Sequence, residues 1–500
     1  MKIDRIGLIT MHGMSRRRFL TTAALAGLTA ACGSSSEAGA SRPAGKPGFR
    51  TELRIPPLLR PEPGKGGVRR FQLTMQSGRV GILPGTSTAT WGFNGSFLGP
   101  TIRAARGDKI QMAVTNRLPE TSTVHWHGMR LPAKMDGGPH QPIEPGATWR
   151  PHWTVDQPAA TSWYHPHPHG KTAMHVYRGL AGMFIVDDDV EVELPDRYGV
   201  DDIPLILQDK SFAADGSLAG DPLKGTFGIL GDHILVNGTY DPFVNVTTER
   251  ARFRILNGSN ARMYNLAFSD RRKFHVVGND AGLLPAPVTA DRVSLTPGER
   301  MEIVVDFAPG EQVVLRSVGG SADIDEGDLE LLKIVAAARL ADSQPLPARL
   351  ARTAPIAVPA GARVRRFKLN GHDAINGKEM DPTRIDEVVP AGATEIWEIE
   401  NSVYAHNFHI HEVAFRILDV GGSAPPGYAT GHKDTVYVPS KTTVRLAVEF
   451  GRHTDPRTPY MYHCHILRHE DSGMMGQFVI VEPGTENQIS RTIPAAHHHM

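Results

Sequence analysis

The sequence predicts an all-β protein assembled from several sandwich domains, and three observations carry that prediction. Runs rich in β-branched residues are short and end at turn residues, as in Ile110-Gln111-Met112-Ala113-Val114-Thr115-Asn116, where alternate side chains face one core. No convincing amphipathic helical stretch separates these runs. The chain of 500 residues carries 51 Gly and 38 Pro to make its turns. One core does not suffice at that length, and about three domains of roughly 150 residues each are expected.

In chain order, residues 1–40 are an address rather than part of the fold. Ser15-Arg16-Arg17-Arg18-Phe19-Leu20 reads as a twin-arginine (Tat) export signature, followed by the apolar run Thr21 to Ala31. Met11 and Met14 are alternative starts. Small residues lead into Cys32, as at a lipoprotein cleavage site, whereas cleavage after Ala38-Gly39-Ala40 would remove Cys32. Export to the periplasm or the cell exterior is expected, with a lipid anchor in the first case. A single acyl chain anchors only weakly by itself.

Residues 41–66, rich in Pro, Gly and Arg, read as a linker. A first β domain is expected over 67–189. A second, over 203–338, holds Ile234-Leu235-Val236-Asn237-Gly238 and Met301-Glu302-Ile303-Val304-Val305. Residues 340–361 form a second Pro/Ala/Arg-rich linker, and 364–483 a third domain. The terminal His497-His498-His499 is given no function.

Net charge is +1, so no electrostatic case exists for nucleic acid or an anionic membrane surface. No mature segment reaches the ~20 apolar residues that span a bilayer. The 23 histidines are the outlier, and many stand two residues apart.

Tyr460-Met461-Tyr462-His463-Cys464-His465-Ile466-Leu467-Arg468-His469, with Met474 beyond it, concentrates the chemistry. Read as a strand, it turns His463 and His465 to one side and Cys464 to the other, so neighbours can serve two metal centres. A thiolate, an imidazole and a thioether are blue-copper ligands, and a second histidine must come from elsewhere. Cys464 is one of two cysteines in the chain; a lone thiol in an oxidising compartment is a liability unless a metal holds it. Three further clusters complete the pattern: His125-Trp126-His127-Gly128, His165-Pro166-His167-Pro168-His169-Gly170 and His406-Asn407-Phe408-His409-Ile410-His411. One such pair is weak evidence, since loops and zinc sites also pair histidines. The whole set, wrapped round a lone cysteine, favours copper.

In these motifs and their order the chain resembles the three-domain bacterial multicopper oxidases, over about Phe71 to Val481. Asp156-Gln157-Pro158-Ala159-Ala160-Thr161 and Gly179-Leu180-Ala181-Gly182 look closest to the copper-efflux branch. The resemblance implies three consecutive cupredoxin-like Greek-key β-sandwiches and four copper ions. It places type 1 copper on His406, Cys464 and His469 with Met474 axial, and type 2 on His125 and His409. The type 3 pair would take His127, His165, His167, His411, His463 and His465. The axial thioether implies a lower potential than a non-coordinating residue would give. Asp136 and Glu470 match acidic positions used for proton delivery or ligand support, while His169 is expected to be a histidine that supports a ligand or lies in a loop rather than a further ligand. The ligands come from the first and third domains, which makes the second a spacer. The activity implied is one-electron oxidation of a reductant coupled to four-electron reduction of O2 to water, by a monomer.

The reductant is less constrained. No methionine lies between Met301 and Met380, and Ser402-Val403-Tyr404 precedes His406 without the Asp and Met of a cuprous site. Soft thioethers suit Cu(I); their absence and an open type 1 edge favour phenol-like reductants, as in laccases. Cuprous oxidation for copper tolerance is the alternative, with Fe(II) or Mn(II) behind it. Copper storage without O2 consumption is a further reading. Copper-free relatives that act in the cell envelope or division have lost the histidines, and this chain has the full set.

Overall fold

The computed structural model describes residues 41–42, 44–45, 47–188, 192–351 and 354–493. The twin-arginine segment, Cys32 and the terminal histidines lie outside the described residues. Among the described residues the strands form six sheets, and parallel and antiparallel pairs mix within them. The chain is mostly β, in keeping with three cupredoxin-like sandwiches. No described helix is long and apolar enough to cross a membrane.

The first sandwich is built round Val68–Val80, which pairs parallel with Lys109–Asn116 and antiparallel with Thr88–Phe93. In Lys109–Asn116 the alternation sends Ile110, Met112 and Val114 into the core and Lys109 to solvent. They meet Phe71, Leu73, Trp126 and Tyr164 there. Facing that sheet are Ala160–Tyr164, Gly182–Asp187 and Ile102–Ala105. The last sandwich pairs a four-stranded sheet with a five-stranded one, ordered Glu387–Pro390, Met475–Val481, Tyr460–His463, His406–Ile410, Thr435–Val438. Its register sets His409 opposite both His463 and Thr435. Between the two lies a larger pair of sheets with its own core of Ile203, Leu205, Phe253, Ile255 and Ile303.

The stretch expected as a linker over 41–66 contributes short strands. Ser41–Arg42 and Thr51–Glu52 pair with strands of the middle sandwich, and Glu62–Pro63 with Val68–Val80. Two short α-helices, Thr172–Arg178 and Leu467–Asp471, also fall where no amphipathic period is visible. They pack through Ala173, Val176 and Leu467. The Asp471 carboxylate accepts the Thr172 and Ala173 N–H groups at 2.9 and 2.8 Å, satisfying donors that a first helical turn leaves free.

The first and middle sandwiches are tied by buried charge. Glu302 accepts from Thr161 Oγ1 at 2.6 Å and Arg254 Nη1 at 3.0 Å, and pairs with Arg252. Burial opposes its ionisation, but the Arg252 and Arg254 guanidiniums outweigh burial and hold Glu302 down at about 2. Asp202 accepts from Arg254 Nε at 2.6 Å, so the cluster stays charged and paired.

Candidate metal centre

His406–Ile410 is buried throughout, and its alternation turns His406 and His409 to opposite sides. On the His406 side lies a compact triangle. Cys464 Sγ is 3.5 Å from His406 Nδ1 and 3.4 Å from His469 Nδ1, which are 3.1 Å apart. His469 Nε2–H donates to the Thr226 carbonyl at 2.9 Å, leaving its Nδ1 lone pair to face the sulfur. Met474 is fully buried in the same core as Cys464. Its carbonyl accepts from Cys464 N–H at 3.2 Å, and its N–H donates to the His469 carbonyl at 2.9 Å. Burial pushes the Cys464 thiol up to about 12 and His406 down to about 3. Burial, aided by His406, also holds His469 well below the usual range. Neutral imidazoles round a thiol that ionises on metal binding are a copper donor set.

On the other side the remaining histidines converge, although the strand Tyr460–His463 stops before His465. His125 and His165 exchange backbone hydrogen bonds at 2.8 and 3.2 Å. Ring atoms gather into three groups, each within 4.8 Å: His125/His127/His165, His125/His409/His411 and His167/His411/His463. His465 completes the set, with its ring 5.1 Å from His127 and 5.3 Å from His165.

Hydrogen bonds settle which nitrogen five of these rings offer. Nδ1–H donates outward from His125 to the Asp136 carbonyl (3.0 Å), from His165 to Pro166 (2.9 Å), and from His409 to the Asp434 carbonyl (2.8 Å). His411 and His463 do likewise, to Asp136 Oδ2 (2.8 Å) and the Cys464 carbonyl (3.1 Å). Their Nε2 lone pairs therefore point inward. His463 Nε2 lies 3.1 Å from His167 Nε2 and 3.2 Å from His411 Nε2. Burial holds His127, His165, His167, His409, His411 and His463 well below the usual range, and His465 at about 3. Neutral imidazoles with converging lone pairs repel one another unless a cation lies between them. Nε2 of His125 and His409 and both ring nitrogens of His465 are buried without a partner. Copper fits this set on both counts.

Both predicted acids adjoin the cluster. Asp136 Oδ2 accepts from His411, and its other oxygen has no hydrogen-bond partner. Gly137 follows with φ +82°, where an added Cβ would lie 1.7 Å from the Val124 carbonyl oxygen; only glycine permits this turn. Glu470 places its oxygens 3.4 Å from His167 Nδ1 and 3.3 Å from His463 Nδ1, without hydrogen-bond geometry. Burial, with the charge of Asp471, raises Glu470 well above the usual carboxylate range. His169 is exposed and belongs to none of the metal-capable groups among the described residues.

Three features were missed by sequence reasoning. Asn407 Oδ1 accepts from His465 N–H at 2.8 Å and lies 3.6 Å from Cys464 Sγ. Asp434 Oδ1 lies 3.1 Å from His127 Nε2 and is paired with Arg300 of the middle sandwich. The charged pair Lys433-Asp434 leading into the β-run Val436-Tyr437-Val438 was the available signal. The third feature is a cover. His406 and His469 are both 0% exposed, with Thr226 and Phe227 from the middle sandwich and Tyr404 against them. The Tyr404 ring lies 5.3 Å from His406 and 5.8 Å from His469, and Phe227 5.8 Å from His469. The edge expected to be open is roofed by these rings, and the middle sandwich is more than a spacer.

Comparison with known proteins agrees with this geometry. The multicopper oxidase family pattern matches residues 74–191, 209–320 and 354–484. The chain is 36% identical to multicopper oxidase mco of Staphylococcus aureus over 442 residues, covering 87% of this chain and 93% of that one. It is also 36% identical to cell division protein FtsP of Xenorhabdus nematophila over 486 residues, covering 94% and 99%. Among solved structures, a laccase from Pediococcus acidilactici superposes with a TM-score of 0.81 at 38% identity, covering 87% of this chain and 95% of that one. A laccase-like multi-copper oxidase CueO from the lignin-degrading bacterium Ochrobactrum sp., with oxidase activity towards lignin model compounds and lignosulfonate, gives 0.79 at 37%, covering 86% and 100%. Similarity on that scale, together with buried histidine clusters of the kind that hold copper, means that this chain belongs to the multicopper oxidase family.

Proposed function

We propose that this protein is a laccase-like multicopper oxidase that takes single electrons from phenol-like organic reductants and reduces O2 to water. His406, Cys464 and His469 with axial Met474 would hold the type 1 ion, and His125 with His409 the type 2 ion. The type 3 pair would be held by His127, His165 and His465 and by His167, His411 and His463. When bound, the four copper ions supply one-electron storage matched to the four electrons of O2 reduction. Cys464 is joined by peptide bonds to His463 and His465, which gives the electron a short covalent route between the two sides. Glu470, whose carboxyl burial raises well above the usual range, would hold a proton beside His167 and His463, and Asp136 would orient His411.

The observation that carries the choice of reductant is the cover. The half-buried rings of Phe227 and Tyr404, edge to face at 5.4 Å, stand over the proposed type 1 ligands, and an aromatic reductant stacked on one of them would need no contact with an imidazole to pass an electron. The names of the Pediococcus and Ochrobactrum relatives support the same class. O2 uptake and anaerobic bleaching of the blue band, with a substituted phenol and with Cu(I), test it. Phe227→Ala is expected to raise KM for the phenol by about 2- to 10-fold, the worth of one stacking contact. Rapid turnover of Cu(I) with little of the phenol would establish cuprous oxidation instead. Failure to take up copper would favour a role like that named for the FtsP relatives.

We also propose Tat export, with anchoring through Cys32, to the periplasm or cell surface, and domains at 67–189, 203–338 and 364–483. We also propose a monomer, which sedimentation of the loaded protein checks. Lysine in place of Arg16 and Arg17 is expected to leave the protein in the cytoplasm, and export of that variant would sink the Tat assignment.

A further inference from the structure

Outside the ligand set, buried charge also gathers where the middle sandwich meets the cluster. Arg300 is 0% exposed, and each of its five side-chain N–H donors has an acceptor. Nε donates to the Thr161 carbonyl at 2.9 Å. Nη1 donates to the Gly298 carbonyl at 2.9 Å and Asp434 Oδ1 at 2.7 Å. Nη2 donates to the Asp280 carbonyl at 2.9 Å and Asp434 Oδ2 at 2.6 Å. One guanidinium thus joins all three sandwiches. Asp280 supports it from behind, accepting from Arg300 N–H at 2.8 Å and Lys433 Nζ at 2.9 Å.

Asp434 passes this constraint to the cluster. Its Oδ1 accepts from His127 Nε2 at 3.1 Å and from Thr435 Oγ1 at 2.8 Å. With Nε2 protonated, His127 must offer Nδ1 inward, and that atom lies 3.4 Å from His165 Nε2. His125, His165, His409, His411 and His463 do the reverse. His127, His409 and Asp434 also come close enough together to suggest a cation site. The guanidinium occupies both carboxylate oxygens and brings its own positive charge there, so the carboxylate serves His127 and not a further ion.

We propose that Arg300, acting through Asp434, is a positioning residue that selects the ring nitrogen His127 offers to the copper centre. The inference rests on the copper reading of that centre. The two parallel N–H···O bonds fix the plane of the carboxylate, and the carboxylate fixes the tautomer. A lysine at 300 keeps the charge and loses the fork, which frees Asp434 to turn from His127.

The test is selective ¹⁵N-histidine NMR on copper-free protein, followed by copper titration read at the blue band and at the near-ultraviolet absorption of the coupled pair. In the unaltered protein His127 is expected to carry its proton on Nε2. Arg300→Lys is expected to give a mixture of tautomers and about 10- to 100-fold weaker copper binding at the coupled site, with the blue band retained. A simple interdomain clamp would lower Tm while leaving tautomer and affinity unchanged, and that result would overturn the proposal. If Arg300→Lys does not fold, Asp434→Asn, which keeps an oxygen for His127 but loses the ion pair, is judged by the same readouts. Should the unaltered protein bind no copper, the copper reading fails separately, because the tautomer is measured without metal.

Discussion

Cys464→Ser is expected to abolish the blue absorption and bring oxidase turnover down to that of free copper, while the protein stays folded. The thiolate is the one soft anionic donor in the His406–Cys464–His469 triangle, and a serine hydroxyl does not ionise to replace it at neutral pH. The change is small enough for the surrounding core to keep its shape, and the histidines on the opposite side keep their partners, so copper there should remain. Loading also reports the thiol directly. Burial pushes Cys464 up to about 12, so below that pH each type 1 ion bound displaces a proton from sulfur. Binding should strengthen as pH rises, and the serine variant should lose that proton release. Copper counting, the visible spectrum and proton release on loading check the three parts. A serine variant that remains blue would remove Cys464 from the site.

Glu470→Gln is expected to slow O2 reduction by about 10²- to 10⁴-fold, the range for a lost general acid. Copper content and anaerobic bleaching by the reductant should be unchanged. The carboxyl lies 3.3–3.4 Å from two cluster imidazoles, and burial holds its proton to a higher pH than an ordinary glutamic acid. Activity should therefore fall as pH rises through that raised value, whereas the Gln variant should be slow and flat across the same range. Asp136→Asn should differ in kind. It removes the anionic acceptor of His411 Nδ1–H, so the expected loss includes about 10- to 100-fold in copper affinity at the cluster. Equal reoxidation rates in Glu470→Gln and the unaltered protein, measured by stopped flow, would exclude the proton role.

Legibility followed sequence separation. His463, Cys464, His465 and His469 lie within a few residues of one another, so their chemistry reads directly from the chain. The strand ends at His463, yet Cys464 and its neighbours still face opposite centres, because extended backbone continues the alternation for a residue or two. Asp136 and Glu470 were found through the family resemblance, because each matches an acidic position of its motifs. Leu467–Asp471 was not, since five residues are too few to show a helical period. The linker strands escaped notice because two-residue pairs depend on a partner edge.

The sequence by itself determined the donor types and their order, which favour copper over zinc, because softness and charge belong to the side chains. Tertiary structure alone decided which nitrogen the hydrogen-bonded imidazoles offer, that Arg300 and Asp434 stand behind His127, and that Thr226, Phe227 and Tyr404 cover His406 and His469. Tautomer, burial and access are set by neighbours that only folding brings together.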